Sequence, residues 1–248
     1  MSDATGAVLA IEGLVRRYGA LTAVDGISLN VSPGEIVGFL GANGAGKTTT
    51  LRCATGLLRP HGGRIMVAGH DLARSPKQAK AAIGFVPDHP YVHERLTHRE
   101  HLEFIAALYD VPAGAARERG EALIARLSLT EHADQRLEEA SLGMRQKLAV
   151  AMAMLHAPRM LMLDEPLVGL DPQAARALKD LLREHVARGG GVLVSTHLLD
   201  VAERLCDRVV ILKRGRVAAS GTLAELQGGR SDTSLEDLFL EHQGDDAP

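Results

Sequence analysis

The chain has 248 residues, a formal net charge of −3 and an aromatic content of only 3% without tryptophan. This length suits one large α/β domain, or a core with one inserted subdomain, and allows a sizeable buried core. The near-neutral charge and the scarcity of aromatic side chains argue against a nucleic-acid-binding protein, because such proteins use basic surfaces and stacking aromatics.

Cysteine usage and hydropathy give further limits. Cys53 and Cys206 have no metal-site spacing, and we expect two reduced thiols in a cytosolic protein. Residues 1–10 lack a basic segment followed by an apolar one, so we expect no signal peptide. No run of about 18 apolar residues occurs, and we expect any membrane pore to belong to another polypeptide.

The predicted elements begin with strands. Alternation of apolar residues favours strands at Val8–Leu14 and Ile27–Val31. The fully apolar run Ile36–Leu40 is typical of a strand that is covered on both faces, as in parallel sheets. A glycine-rich loop and a helix over Thr48–Leu58 follow. Further short strands are predicted at Arg64–Val67 and Ala82–Val86.

The helical period dominates from about Thr97 to Ala157, and Leu102, Ile105 and Tyr109 fall on one helix face. We therefore predict a helical subdomain inserted into an α/β core. The core then resumes with strands at Met160–Leu163, Val192–Ser195, Arg208–Leu212 and Arg216–Ser220, and with helices at Pro172–Arg188, Leu198–Cys206 and Leu235–Glu241.

A complete phosphate-binding motif connects the strand that ends at Leu40 to the next helix. It matches G-x-x-x-x-G-K-[ST]. Glycines let backbone N–H groups turn towards an anion, and the helix N-terminus adds a positive dipole. Lys47 supplies a charge for the β- and γ-phosphates, and Thr48 a hydroxyl for Mg²⁺. The residues expected to bind the nucleotide here are Gly41, Ala42, Asn43, Gly44, Ala45, Gly46, Lys47, Thr48 and Thr49.

The predicted fold class is α/β. It comprises a P-loop NTPase core with a mostly parallel sheet, an N-terminal antiparallel β portion and the inserted helical subdomain. We expect residues 1–243 to form a single cassette and residues 244–248 a flexible tail. The expected parts of the cassette are a core at about 1–88 and 158–227, a helical subdomain at about 89–157, and a short C-terminal helix at about 234–242.

Two carboxylates follow the apolar strand that ends at Leu163. Ligands bind at the carboxyl ends of strands in open α/β sheets, so Asp164 and Glu165 are expected to face the phosphate loop. Asp164 is the expected Mg²⁺ partner, through water, and Glu165 can polarise the attacking water. A solvated acidic turn would leave the preceding apolar run unexplained. The phosphate loop alone does not distinguish kinases, GTPases and motor ATPases.

With these motifs in order, the chain resembles the nucleotide-binding subunit of ABC transporters from about residue 8 to residue 243. Ser141-Leu142-Gly143 resembles the family signature Leu-Ser-Gly-Gly-Gln, with Ala140 in place of leucine and Leu142 in place of the first glycine. The resemblance implies that Ser141 and Gly143 contact ATP held by a second subunit. From its residues alone, the segment predicts a helix with Ser141 as N-cap.

The resemblance implies further roles. Tyr18 would stack on adenine, although the residue alone fits a core or surface position equally well. His197 would contact the γ-phosphate. Gly169-Leu170-Asp171 resembles the loop that contacts the partner subunit, and Asp171 followed by Pro172 also predicts a helix start. The residues expected to act in catalysis are Lys47, Glu165 and His197.

Asp88 is a departure from the family, which usually has glutamine there. A carboxylate suits a Mg²⁺-bound water but cannot donate a hydrogen bond when ionised. We hypothesise an electrostatic metal contact, which makes Thr48, Asp88 and Asp164 the expected metal-site residues. In the loop that follows, exposed Tyr91 and Val92 would suit a pocket of a membrane subunit. A metal site at His89, His93, His98 and His101 is less expected than solvated positions.

The predicted function is Mg²⁺-dependent ATP hydrolysis that powers a membrane transporter, with an exporter favoured. The expected partners are ATP, a second nucleotide-binding subunit that is expected to be another copy of this chain, and a separate transmembrane permease subunit; no nucleic acid is expected. The expected location is the cytoplasmic face of the cell membrane. The alternatives are a related ATPase on a nucleic-acid or ribosomal partner, and a small-molecule kinase. DNA-maintenance relatives need a long coiled coil, and residues 97–157 carry no sustained heptad.

Overall fold

The computed structural model describes residues 6–228 and 233–243; the expected tail at residues 244–248 lies outside these ranges. The strands are β1 Leu9–Tyr18, β2 Leu21–Val31, β3 Ile36–Gly41, β4 Gly62–Val67, β5 His70–Asp71, β6 Ile83–Val86, β7 Met160–Asp164, β8 Gly191–Ser195, β9 Arg208–Lys213 and β10 Arg216–Gly221. The helices are α1 Lys47–Ala54, α2 Pro76–Ala81, α3 His98–Leu108, α4 Ala113–Arg126, α5 Leu142–Leu155, α6 Pro172–Ala187, α7 Leu199–Leu205, α8 Leu223–Gln227 and α9 Leu235–Gln243. Short 3₁₀ turns lie at Thr130–His132 and Leu137–Glu139.

The central sheet has six strands in the order β10-β9-β3-β8-β7-β6. All neighbouring pairs are parallel except β9 with the edge strand β10, so the predicted mostly parallel sheet is confirmed. Strands β3, β7 and β8 are buried along their whole length, as their apolar sequences predict. Because these strands are parallel, Gly41, Asp164 and Ser195 end at the same edge of the sheet, which positions the site.

Alternating side chains of the central sheet face two different cores. Met160 and Met162 pack towards β1, β2, β4 and α1, and β1, β2, β4 and β5 form the predicted antiparallel portion. Leu161 and Leu163 pack on the other side with α5, α6 and the helices α3 and α4. The helical subdomain is therefore continuous with one face of the central sheet. Among the described residues, no helix is both long and apolar enough to cross a membrane.

Some element boundaries differ from the predictions. Helix α1 ends at Ala54, not Leu58, because Gly56 has a φ of +71° and a Cβ there would lie 2.8 Å from Lys80 Cε. β1 continues to Tyr18 through irregular pairing with β2. The short elements β5, α2 and α8 were not predicted. Cys53 and Cys206 are free thiols, as expected.

Two predictions about the segment that leads into α3 are wrong. Val92, predicted to be exposed, is only 6% exposed and packs into the core beneath the helical subdomain, whereas Tyr91 is 91% exposed. His98 and His101 are buried, although solvated positions were expected. Burial lowers the pKa of His101, whose Nδ1–H donates to the Thr97 carbonyl (2.7 Å) and whose Nε2 accepts from the His93 N–H (2.9 Å). These contacts give His101 a structural role.

Candidate active site

The phosphate loop runs from the end of β3 to the start of α1, as its motif requires. Gly44 and Gly46 adopt φ values of +81° and +105°. A Cβ at Gly46 would lie 2.6 Å from the carbonyl oxygen of Ala23 in β2, so a side chain at this position would collide with backbone. The glycines therefore permit both the turn of the loop and its contact with the antiparallel sheet.

The N-terminus of α1 is well suited to bind phosphate. No side chain caps the helix, and its first turn holds no acidic residue. The first N–H groups of a helix have no partner within it, and together with the helix dipole they favour an anion. Lys47 Nζ donates to the carbonyl oxygens of Gly41 (2.6 Å) and Ala42 (3.3 Å), which keeps the charge inside the loop. Burial lowers the pKa of Lys47, and the carboxylates of Glu165 and Asp164 oppose that shift.

Asp164 lies at the end of β7 and is only 1% exposed. The Ser195 hydroxyl donates to its Oδ1, but its buried Oδ2 has no hydrogen-bond partner among the described residues. A buried carboxylate oxygen without a donor is costly unless a cation or an ordered water satisfies it. Mg²⁺ is typically held by one or two carboxylates together with phosphate oxygens and water. The residues present therefore fit this ion, and Asp164 and the Thr48 hydroxyl would hold it.

Glu165 and His197 form a pair beside Asp164. Glu165 has a φ of +49°, uncommon for a residue other than glycine, and its N–H donates to the carbonyl oxygen of Ser195 (3.1 Å). Its Oε2 accepts from His197 Nδ1 (2.9 Å) and from the His197 N–H (3.3 Å). The strained backbone and these two bonds fix the carboxylate at the edge of the sheet where the phosphate loop opens.

Ser195 is a site residue that the sequence analysis missed. It lies at the end of β8, completely buried, and it contacts both Asp164 and the backbone of Glu165. Its signal in the sequence was the polar pair Ser195-Thr196 directly after an apolar strand, at the same edge as Asp164. The side chain orients the Asp164 carboxylate and holds the backbone of Glu165.

The signature segment lies against the loop that precedes α6. Ser141 caps α5 by accepting from the Met144 N–H (3.2 Å), and Asp171 caps α6 by accepting from the Ala174 N–H (2.8 Å), so both predicted helix starts are confirmed. A Cβ at Gly143 would lie 2.7 Å from the carbonyl oxygen of Gly169. The two segments are thus in direct backbone contact within one chain.

Tyr18 and Asp88 lie at the margin of this region. Tyr18 ends β1 and is partly exposed, with the Arg16 guanidinium 4.9 Å from the centre of its ring. Asp88 lies 3.7 Å from Arg52 Nη2 and 3.1 Å from His89 Nδ1. Within the described part of the chain, no group of three or more His, Cys, Asp or Glu side chains is placed to hold a metal ion. A magnesium site here would therefore depend on phosphate oxygens and water.

Comparisons with known proteins agree with this geometry. The sequence model of the family described as ABC transporter matches residues 24–168. The chain is 37% identical over 242 residues to the ABC-type transporter ATP-binding protein EcsA of Bacillus subtilis (strain 168), covering 97% of this chain and 98% of that protein. It is 36% identical over 241 residues to the Nod factor export ATP-binding protein I of Ralstonia nicotianae (strain ATCC BAA-1114 / GMI1000), covering 97% and 74%.

A solved structure described as the ATP-binding subunit of an ABC transporter superimposes with a TM-score of 0.91 at 36% identity, covering 95% of this chain and 99% of that one. Both the sequence and the fold that carry these motifs are therefore similar to those of this family. The motifs are the phosphate loop, the paired carboxylates and the signature segment. The chain belongs to the ABC transporter family and is one of its ATP-binding, ATP-hydrolysing subunits.

Proposed function

We propose that two copies of this chain close around two molecules of MgATP, and that hydrolysis drives a separate membrane-embedded subunit at the cytoplasmic face of the membrane. The observation that carries this proposal is the convergence of Lys47, Asp164 and Glu165 at one edge of the central sheet. Ser141 at the start of α5 and Asp171 at the start of α6 are exposed, and half-buried Gly143 follows Ser141, so both helix starts are available to a second copy.

Binding and charge stabilisation are assigned to the phosphate loop. The α1 N–H groups and Lys47 would hold the phosphates, and Asp164 and Thr48 would hold Mg²⁺, which would supply positive charge to neutralise the phosphates. Phosphoryl transfer needs mainly positioning and electrostatic stabilisation, so groups fixed before the reaction are effective. Ser195 contributes by fixing the Asp164 carboxylate.

Glu165 is assigned as the residue that orients and polarises the attacking water. His197 donates to its Oε2, which holds the carboxylate in place, and His197 is assigned as the residue that would contact the γ-phosphate. In the dimer, Ser141 and Gly143 of one copy would contact ATP held by the other. Tyr18 would stack on adenine, and its partly exposed ring is consistent with that use.

We assign recognition of the substrate to the membrane subunit, and we infer the direction of transport from a similar protein. One similar protein is named as a Nod factor export ATP-binding protein. We therefore infer that this chain serves an exporter. Nothing in the charge or aromatic content favours the nucleic-acid alternative.

The decisive test is Glu165→Gln. The amide keeps the shape of the side chain but loses the basic oxygen, so ATP turnover should fall by about 10²-fold or more while ATP binding persists. Steady-state turnover and equilibrium binding of a fluorescent ATP analogue would measure the two effects. Glu184→Gln is a matched control, because Glu184 pairs with Arg126 and Arg188 away from the site. Turnover of the Glu165→Gln protein at the native rate would remove Glu165 from this role.

A further inference from the structure

The charge of this chain is unevenly distributed. Although the whole chain has 28 basic and 31 acidic residues, the segment from residue 52 to residue 80 has one acidic residue, Asp71. Its basic residues are Arg52, Arg59, Arg64, Arg74, Lys77 and Lys80. The rest of the chain therefore has 22 basic and 30 acidic residues, a formal net charge of −8. The positive charge of residues 52–80 thus contrasts with the negative charge of the rest of the chain. Such a distribution orients a protein as it approaches a charged partner.

The fold gathers these cations on one surface. A groove of about 790 Å³ lies between the α1–β4 connection and the β5–α2 segment, and it is bordered by Arg59, Arg64, Arg74 and Lys80. Lys77 is exposed one helical turn before Lys80 in α2. Three separate stretches of the chain thus contribute to what we call the basic face, defined by Arg59, Arg64, Arg74, Lys77 and Lys80.

The one carboxylate on the basic face is already engaged. Asp71 accepts from Arg64 Nε (2.8 Å) and from the N–H groups of Ala73 (2.9 Å) and Arg74 (3.3 Å). The hydrogen bond from Arg64 is the main reason that the pKa of Asp71 is lowered. Among the described residues, no carboxylate lies within ion-pair distance of Arg59, Arg74, Lys77 or Lys80. These four side chains are exposed and free to meet an external anion.

The basic face adjoins exposed apolar side chains. Lys80 also borders a second groove, which contains Leu57 and Tyr91. Both are exposed, and Tyr91 is the residue expected to contact the membrane subunit. Basic side chains next to exposed tyrosine and leucine are the combination that interfacial membrane binding uses.

We propose that the basic face binds the anionic phospholipid headgroups of the bilayer that holds the membrane subunit. Arginine forks and lysine ammonium groups match phosphate oxygens, and juxtamembrane cations bind anionic lipid without sequence specificity. Because the rest of the chain has an excess of acidic residues, an anionic surface favours approach by this face. This inference rests on the proposed function, which places the chain beside a membrane.

An acidic segment of the membrane subunit is the competing ligand. The cations come from three stretches of chain and extend from the groove onto α2, which suits a continuous surface of headgroups better than one short peptide. A lipid surface also requires no complementary pattern of side chains. The observations therefore favour the bilayer.

The test is co-sedimentation of the full chain with vesicles of phosphatidylglycerol and phosphatidylcholine, compared with vesicles of phosphatidylcholine alone. The native chain should bind only the anionic vesicles, and binding should weaken as salt rises from about 50 to 300 mM, because added salt screens charge. Each cation near an anionic surface contributes about fivefold to partitioning, so the combined variant Arg59→Glu, Arg74→Glu and Lys77→Glu should bind at least ~100-fold less.

The matched control is Arg117→Glu with Arg136→Glu, which reverses two exposed cations of the helical subdomain and should leave vesicle binding nearly unchanged. ATP turnover of both variants should stay at the native rate, which reports that they fold. Equal binding by the triple variant, or no preference for anionic vesicles, would overturn the proposal. So would capture of a deca-glutamate peptide, lost in the triple variant, without vesicle binding. None of these outcomes depends on Glu165, so the proposed ATPase role is tested separately.

Discussion

Asp88 stands where the family usually has glutamine, and its surroundings give that replacement a physical context. The carboxylate lies between Arg52 of α1 and His89, with distances of 3.7 Å and 3.1 Å. Its side chain is partly exposed, so the pair with Arg52 contributes little to stability. α1 starts at the end of the phosphate loop and also carries Arg52. The ion pair therefore connects Asp88 to the helix that would bind the nucleotide.

Replacing Asp88 with glutamine tests the metal contact. The variant loses an anionic oxygen, which Mg²⁺ prefers, and gains an N–H donor that can orient water. We expect the Mg²⁺ concentration for half-maximal ATP turnover to rise by roughly threefold to tenfold. Titration of turnover with Mg²⁺ at fixed ATP measures this.

Arg52→Gln is the appropriate control, since it removes the same ion pair and keeps the carboxylate. If it shifts the Mg²⁺ dependence as much as Asp88→Gln does, the effect comes from the lost pair. If Asp88→Gln leaves both Mg²⁺ dependence and turnover unchanged, Asp88 has no role at the metal.

Individual residues also show which side-chain placements can be predicted from a sequence. The proximity of Lys47 and Asp164 was predictable because their placement depends on local motifs: a glycine loop before a helix, and a carboxylate after a buried strand. Val92, His98 and His101 were predicted on the wrong side of the surface, because their burial depends on helices distant in sequence. Ser195 was missed because its role depends on its neighbour across the sheet, Asp164.

Among the elements, helix α5 is held by polar contacts to the segment from Pro166 to Asp171, which directly follows Glu165. Gln146, which is buried, donates to the Pro166 carbonyl oxygen (3.2 Å), and Lys147 Nζ lies 3.3 Å from Asp171 Oδ2. The Leu142 side chain covers Gly169, where a Cβ would lie 3.3 Å from Leu142 Cδ2. The leucine that departs from the family signature thus lies over a residue without a side chain. These contacts hold the signature helix and the segment from Pro166 to Asp171 as one unit.

Lys147→Met should separate the two halves of this unit. The Lys147 side chain is only 12% exposed, and methionine fills similar space without the charge for Asp171. Small displacements of positioned groups are costly to rate, so we expect about a tenfold lower kcat with little change in KM for ATP. Steady-state kinetics measure both parameters.

Lys147→Arg is the conservative partner of that variant and should retain most of the native kcat, because it keeps a cation within reach of Asp171. Both variants should unfold within a few degrees of the native protein, since a partly exposed ion pair contributes little to stability. Native kcat in Lys147→Met would show that the pair does not position the loop.

Strands that are buried on both faces were predicted well, and three short elements at the periphery were not. β3, β7 and β8 were evident because a strand that is buried on both faces has a continuous apolar sequence. β5 has only 2 residues, and the helices α2 and α8, with 6 and 5 residues, are shorter than two turns, too short to show the helical period. The end of α1 was misplaced because Gly56 adopts a left-handed backbone conformation, with a φ of +71°, that cannot continue the helix.

For the whole molecule, the loop at Tyr91 and Val92 is the place where the surface differs from the sequence prediction. Sequence patterns predicted the layers, since each strand and helix carries its own burial pattern. They could not predict which of two adjacent residues, Tyr91 or Val92, faces outward, because that depends on how α3 and α5 close over the loop. The structure assigns Tyr91 to the surface and Val92 to the core.

Serine substitutions at these two positions should therefore have different consequences. Tyr91→Ser removes an exposed ring, so stability should change by less than about 0.5 kcal/mol, whereas association with the membrane subunit should fall. Val92→Ser leaves a cavity and buries a hydroxyl, which should lower the free energy of unfolding by about 2 kcal/mol or more. Thermal unfolding of the isolated chain and co-purification of the membrane subunit separate the two effects.

Leu240→Ser, which changes an exposed apolar residue of α9, is the control and should affect neither. Full assembly and coupled ATP turnover by the Tyr91→Ser protein would show that this loop is not the docking surface.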